Sequence, residues 1–436
     1  MSDSGKSSDS QGRSRRLRLV EEPLWLAGAN RTAKGRLVAN VHNARLFLES
    51  CPYLPGEFRV AWDEMLQGVV CGLEREPLGD SSVSRMIDWF ETQGFQNFPE
   101  NYLRHAIAIV AEETRFNPLT EWLNSLQWDH KPRLASWLHD YLETPHDPYH
   151  SVIGTMFIRS MIARAKYPGC KADYMLVLEG PQRRLKSTVC EILAKFPEYF
   201  SDSLPDLSGD GVRVAMHLRG KWLIEVSEMH AFSRAEASRL KQFLSSKVER
   251  YTPKYGRDEV REPRRNVLIG TTNKATYLRD ETGGSRFWPV RCGNIKIDAL
   301  RRDIDQLLAE AWFDVSVLEK PWWPPPEFEE QIIGPVQDSR YDGDAWEQPI
   351  AEWDFMIPKC DPNGRPITGD NANRNLVYPP YYFKDIALGA LGILPGQFRK
   401  AEELRLAKTL EFMGWTRAKR TTRGIPWNPP TGDVAM

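Results

Sequence analysis

The chain contains no run of about 18 apolar residues, which argues against a membrane-spanning helix and leaves no membrane partner to expect. Its opening, MSDSGKSSDSQGRSRRLRL, lacks the apolar stretch of a secretory leader, so a cytoplasmic protein is expected. Cysteine is sparse. Cys51, Cys71, Cys170, Cys190, Cys292 and Cys360 are scattered without a CxxC pair, which points away from a zinc ribbon and from a disulfide framework. No excess of basic charge exists either, since 58 Lys and Arg face 59 Asp and Glu. Any contact with nucleic acid must therefore come from local patches. Internal repeats and sustained heptads are also missing. His139, His146 and His150, with Asp147, have no fourth soft ligand nearby in sequence, so that group is not read as a metal site.

What is present is a chain of 436 residues, 41% of them hydrophobic, enough for two or three domains. Residues 1–20 read as a Ser/Gly-rich basic tail without fold. Residues 21–150 read as a mainly helical region, with apolar residues at helical spacing such as Ala44, Leu46 and Phe47. In residues 151–320 the pattern changes to short apolar runs, YMLVLEG, KWLIEVSE and NVLIGTTN, separated by helix-like segments. That alternation predicts an α/β core. A Pro-rich connector is expected over 321–380. Two helices and a basic hairpin over 381–436 suggest a small winged-helix-like module.

The run YMLVLEGPQRRLKST has the strand, loop and helix order of a phosphate-binding loop. Gly180, Gln182, Arg183, Arg184, Leu185, Lys186, Ser187 and Thr188 are the candidate ATP-binding residues. Loop amides and the helix N-terminus would cradle phosphate oxygens, Lys186 would neutralise the β and γ phosphates, and Ser187 would offer its hydroxyl to Mg²⁺. The pattern GxxxxGK[ST] is broken, because Leu185 occupies its second glycine position. Read alone, the segment also fits a chance loop before a basic helix.

Downstream, KWLIEVSEMH carries Glu225 and Glu228 towards the end of an apolar strand. One carboxylate would hold Mg²⁺ through water, a role given to Glu225, while the other orients or deprotonates the attacking water. Glu228 is favoured for catalysis and Glu225 comes second. Strand alternation would put the two on opposite faces unless the strand ends between them. Asn273, closing NVLIGTTN, is the candidate γ-phosphate sensor, although Thr and Asn are also common turn residues. In YLRDETGGSRFWPV, Arg286 stands before a bulky anchor and is placed to act as a finger on a neighbouring subunit's ATP, with Arg279 as second candidate and a structural ion pair as the alternative for both. Between the acidic and sensor runs, Lys241, Lys247, Arg250, Lys254, Arg257, Arg261, Arg264 and Arg265 surround Tyr251 and Tyr255. Basic residues interleaved with aromatics suit contact with a nucleic-acid strand, and a solvated surface is the alternative.

Taken together these blocks resemble the virulence-associated-E-type P-loop ATPases of phages, plasmids and pathogenicity islands, which are similar to superfamily three helicases. The resemblance spans roughly residues 117–315 and includes NPLTEWLNSLQWDHKPRLASWLHDYL, YTPKYGR, YLRDETGGSRFWPV and DQLLAEAW. It implies an AAA+-like core assembled as a ring, expected as a hexamer, with ATP between subunits and single-stranded or forked DNA in the channel. It matches Lys186 and Ser187 to the phosphate loop, Glu225 and Glu228 to the acidic strand, Asn273 to the sensor and Arg286 to the arginine before FWPV. Lys254, Tyr255 and Arg257 fall in the segment that resembles the DNA-contacting channel hairpin. Two departures stand out: Arg183 replaces a family glycine, and Ser285-Arg286 replaces an arginine pair.

The expected function is thus an ATP- and Mg²⁺-dependent DNA helicase or translocase in replication of a phage or mobile element, working with a separate primase or initiator. The alternative is a catalytically impaired ATP-binding scaffold or loader of replication proteins, or a phage-interference factor. A nucleoside-kinase-like enzyme is a distant third reading.

Overall fold

The computed structural model describes residues 24–229, 234–252, 259–274, 286–340, 345–358, 374–394 and 396–430. The chain forms two compact units that divide between Trp122 and Leu123.

In the first unit, α1 (Val41–Ser50) is started by Asn40, whose side chain accepts from the Asn43 amide. β1 (Val60–Asp63), β2 (Gly68–Cys71) and β3 (Glu76–Pro77) follow, then α2 (Asp80–Thr92), α3 (Glu100–Glu113) and β4 (Arg115–Phe116). The strands make a four-stranded sheet in the order β3-β2-β1-β4. This corrects the expectation of a mainly helical region. Strands of two to four residues are too short to show a period-2 pattern beside helices of ten or more. The core is aromatic, with Phe47, Phe90, Phe95 and Phe98 buried against one another.

The chain continues through α4 (Pro118–Ser125) into the second unit, where α5 (Trp137–Leu142) and α6 (Pro148–Lys166) precede β5 (Met175–Glu179). Asp147 caps α6 and Pro148 opens it, the residue order a helix start favours. Then come α7 (Lys186–Ala194), β6 (Phe200–Ser201), α8 (Gly211–Leu218), β7 (Leu223–Val226), α9 (Arg234–Ser245) and a hairpin of β8 (Val248–Tyr251) and β9 (Val260–Pro263). β10 (Val267–Thr272), β11 (Phe287–Arg291) and α10 (Ile297–Ser316) complete the α/β part.

The sheet has five strands in the order β11-β5-β10-β7-β6, and every neighbouring pair is parallel. Because β5, β7 and β10 are buried along their whole length, they read as unbroken apolar runs. Parallel strands bring all their C-terminal ends to one edge. The residues after β5, β7 and β10 therefore converge there, and open α/β sheets bind ligands at that edge.

The remainder comprises α11 (Pro326–Phe328), α12 (Gly334–Asp338), α13 (Glu347–Ala351), β12 (Met356–Pro358) paired with β13 (Arg374–Leu376), α14 (Phe383–Gly389), α15 (Lys400–Phe412), and β14 (Thr416–Arg417) paired with β15 (Trp427–Asn428). Trp353, Tyr381, Trp415 and Trp427 are buried in a small core of their own.

Candidate active site

After Glu179 the backbone leaves the sheet at Gly180, which has φ 153°. A Cβ there would lie 3.5 Å from the Cys292 carbonyl oxygen, an ordinary contact, so the unusual dihedral rather than space accounts for glycine. Arg183 at φ 62° and Leu185 at φ 60° then adopt the left-handed conformation. These are the positions where glycine was missing from the sequence pattern. The backbone has kept the loop's shape and carries steric cost there instead, about 1–2 kcal/mol per residue. α7 starts at once with Lys186, its first-turn amides turned towards the loop.

Gln182, Arg183, Arg184, Leu185, Lys186, Ser187 and Thr188 line a cavity of about 400 Å³ together with Glu225, Ser227, Glu228, Thr271, Thr272 and Asn273. The structure thus brings the candidate loop, both acids and the candidate sensor around one space, with Gly180 at the root of the loop. Lys186 is largely buried, and its ammonium donates to the carbonyls of Gly180 and Pro181, each at 2.8 Å. Burial pulls its pKa below the usual lysine value, while the Cys292 thiol and Glu225 act in the other direction.

Glu225 is 1% exposed, and its Oε1 accepts from the Ser187 hydroxyl at 2.8 Å and from the Thr271 hydroxyl at 2.6 Å. A buried carboxylate held by two hydroxyls is fixed in orientation. Glu228 differs: β7 ends at Val226, and Glu228 follows with φ 52° on the exposed wall of the cavity. The strand ends between the two acids, which removes the opposite-face problem. Ser187 and Glu225 are hard oxygen donors of the kind Mg²⁺ accepts, so the residues present fit that ion. Among the described residues no cluster of three His, Cys, Asp or Glu is spaced to hold a metal by itself.

Arg286 is placed elsewhere. It precedes β11, and its carbonyl accepts from the Met175 amide at the start of β5. The loop lies past the far end of β5, roughly 13 Å away at about 3.3 Å per strand residue. Arg286 donates instead to the Lys241 carbonyl at 2.8 Å. Lys254, Tyr255, Arg257 and Arg279 lie outside the described residues. Arg264, one of the basic residues of that stretch, is buried and paired with Glu249, so it is not part of an exposed strand-contacting surface.

Two contributors escaped the sequence reading. Thr271 looked like a turn residue, yet it lies inside β10 and faces Glu225; the continuous apolar run before it was the available signal. Glu179, buried just before the loop, forms a two-pronged pair with Arg340 at 3.1 and 3.2 Å. No local pattern links residues so far apart in sequence.

The model of the virulence-associated protein E-like domain matches residues 123–341, a span that contains the whole five-stranded sheet and the cavity. No curated protein matches the sequence. Solved structures of the NrS-1 C-terminal region are similar. One apo A form is 13% identical, covering 85% of this chain and 96% of that one with a TM-score of 0.46. A second A form is 12% identical over the same shares with a TM-score of 0.47. A further apo structure is 13% identical, covering 85% and 95%, with a TM-score of 0.45.

Proposed function

Because this chain belongs to the virulence-associated protein E-like domain family, we propose that it is an ATP-dependent DNA helicase or translocase acting in the replication of a phage or mobile genetic element. The observation that carries this reading is the meeting of Lys186, Ser187 and Glu225 where β5 and β7 end, with Glu228 and Asn273 on the same cavity wall. Phosphoryl transfer needs little covalent chemistry from a protein; it needs phosphates held, charge neutralised and a water aimed.

In this reading the amides of the loop and of α7 hold phosphate oxygens, and Lys186 gives up its loop carbonyls to pair with the β and γ phosphates. Arg183 and Arg184, both exposed on the cavity, add positive charge. Ser187 and Glu225 would hold Mg²⁺, the carboxylate through water; the ion supplies charge neutralisation at the phosphates. Glu228 takes the catalytic acid position and orients or deprotonates the attacking water, with Glu225 as the second candidate. Asn273 senses the γ phosphate. Arg286, remote from its own loop, would serve the site of a neighbouring copy, which requires a ring-like assembly, expected as a hexamer with an AAA+-like core.

Single-stranded or forked DNA is the proposed partner, together with a separate primase or initiator. Lys254, Tyr255 and Arg257 belong by sequence to the turn between β8 and β9 and are proposed to meet the strand. Two helices followed by the β14–β15 ladder, with Arg417, Lys419, Arg420 and Arg423 exposed, support a winged-helix-like DNA contact at the C-terminal end. None of the described helices is long and apolar enough to cross a membrane.

Steady-state ATP hydrolysis with and without single-stranded DNA, beside Lys186→Ala, tests the proposal. Stimulated hydrolysis that Lys186→Ala abolishes supports it. Hydrolysis unaffected by that substitution would remove the site. A second reading, an ATP-binding scaffold or loader with impaired turnover, is favoured by the left-handed Arg183 and Leu185; it predicts nucleotide binding without hydrolysis above the Lys186→Ala control.

A further inference from the structure

The last turn of α9 is held by two arginines from different parts of the chain. Arg286 donates Nη1 to the Lys241 carbonyl at 2.8 Å, and Arg264 donates Nη1 to the Phe243 carbonyl. The final carbonyls of a helix lack intrahelical partners and carry the negative end of its dipole, so guanidinium groups are suited to that position. Helix and β11 are joined a second time, because the Lys241 ammonium lies 5.9 Å from the Phe287 ring centroid.

Arg264 is also fastened to the β8–β9 hairpin. Its guanidinium pairs with Glu249 of β8 and stacks 3.6 Å over the Phe243 ring, and its amide donates to the Lys247 carbonyl at 2.9 Å. The Arg264 side chain is only 4% exposed, so each of these partners matters to a charge that water cannot reach. The hairpin has another buried tie: Arg219, just after α8, pairs with Glu262 of β9, and the Tyr251 hydroxyl donates to Glu262 at 2.6 Å. The hairpin base is therefore fixed to α9 through Arg264, and the start of β11 is fixed to α9 through Arg286.

We propose that the last turn of α9 couples the nucleotide of a neighbouring copy to the β8–β9 hairpin, with Arg264 as the positioning residue. The proposal rests on the reading of Arg286 as a group that reaches a neighbour's phosphate. When Arg286 is drawn to phosphate, its bond to the Lys241 carbonyl is lost. The helix end that Arg264 shares with the hairpin is then held differently. Coupling of this kind is reciprocal, so a strand bound at the hairpin biases Arg286 in turn.

The test uses the full-length protein and Arg264→Lys, whose ammonium keeps the charge but cannot serve Glu249, the Phe243 carbonyl and the Phe243 ring at once. Unstimulated ATP hydrolysis, its KM, the affinity for a fluorescent oligo(dT) without nucleotide, and the stimulation of hydrolysis by that DNA are measured together. The expected result is that the first three stay within about twofold of wild type while stimulation falls by about fivefold or more. A folded Arg264→Lys protein with wild-type stimulation overturns the coupling, and so does one that loses its nucleotide-free DNA affinity, which would make Arg264 a binding residue. Should Arg264→Lys fail to fold, Tyr251→Phe, which removes only the hydroxyl shared with Glu262 and Arg219, carries the same expectations. Wild-type hydrolysis that does not respond to DNA overturns the proposed function itself, and the coupling with it.

Discussion

Ser187 donates its hydroxyl to Glu225 across 2.8 Å, which joins the first turn of α7 to the acidic strand β7 through a single hydrogen bond. β10 lies between β5 and β7 in the sheet, so this contact bridges over a strand rather than between neighbours. Thr271 of β10 supplies the second hydroxyl at 2.6 Å and sets the carboxylate's angle from below. Thr271→Val should therefore raise the Mg²⁺ concentration needed for half-maximal hydrolysis by about 10–100-fold, the usual cost of losing a group that orients a ligand. Nucleotide binding without Mg²⁺ should be unchanged. A Mg²⁺ titration of both proteins checks this, and an unaltered half-saturation point would show that Thr271 does not tune the site.

Leu185 occupies a left-handed position with its side chain 52% exposed. Replacing it by glycine removes the steric cost, about 1–2 kcal/mol, and adds the entropy of a freer unfolded chain, about 0.5–1 kcal/mol. Leu185→Gly should accordingly leave the protein as stable as wild type or about 0–1 kcal/mol more stable, while a β-branched residue such as Leu185→Val should destabilise it. Denaturant unfolding of the two variants decides the sign. If the loop also limits turnover, Leu185→Gly should hydrolyse ATP faster.

Arg286 begins β11 at the end of the sheet away from its own phosphate loop. Arg286→Ala should lower hydrolysis by roughly 1,000-fold or more, as loss of a transition-state arginine does, while nucleotide binding persists. Mixing Arg286→Ala with Lys186→Ala should restore part of the activity, since some interfaces would then pair an intact loop with an intact arginine. No restoration in an assembly shown to mix would refute action between subunits.

Lys186 is held below the usual lysine pKa of 10.5, first by burial, with Cys292 and Glu225 opposing. Its charged form is the one phosphate needs. Nucleotide affinity should therefore decline as pH rises through the window below 10.5, earlier than for an ordinary lysine. The stability term has the opposite sign: the desolvation penalty of the cation is present at neutral pH and is relieved across that same window. Binding of a fluorescent ATP analogue across alkaline pH measures the first effect, and an affinity flat up to 10.5 would contradict it.

The amino-acid sequence by itself determined the α/β core. β5, β7 and β10 announce themselves because strands buried on both faces are apolar at every position, and Lys186, Ser187 and the two glutamates follow from local order around them. It also located the strain, since Arg183 and Leu185 stand where glycine was wanted. Only the tertiary structure decided which groups meet. The pairing of Glu179 with Arg340, of Glu225 with Thr271, and of α9 with both Arg264 and Arg286 joins residues distant in the chain, and no periodicity or spacing encodes such contacts. The short strands of the first unit stayed hidden for a related reason. A strand of two to four residues is defined by the neighbours it hydrogen-bonds to, and those neighbours exist only once the chain has folded.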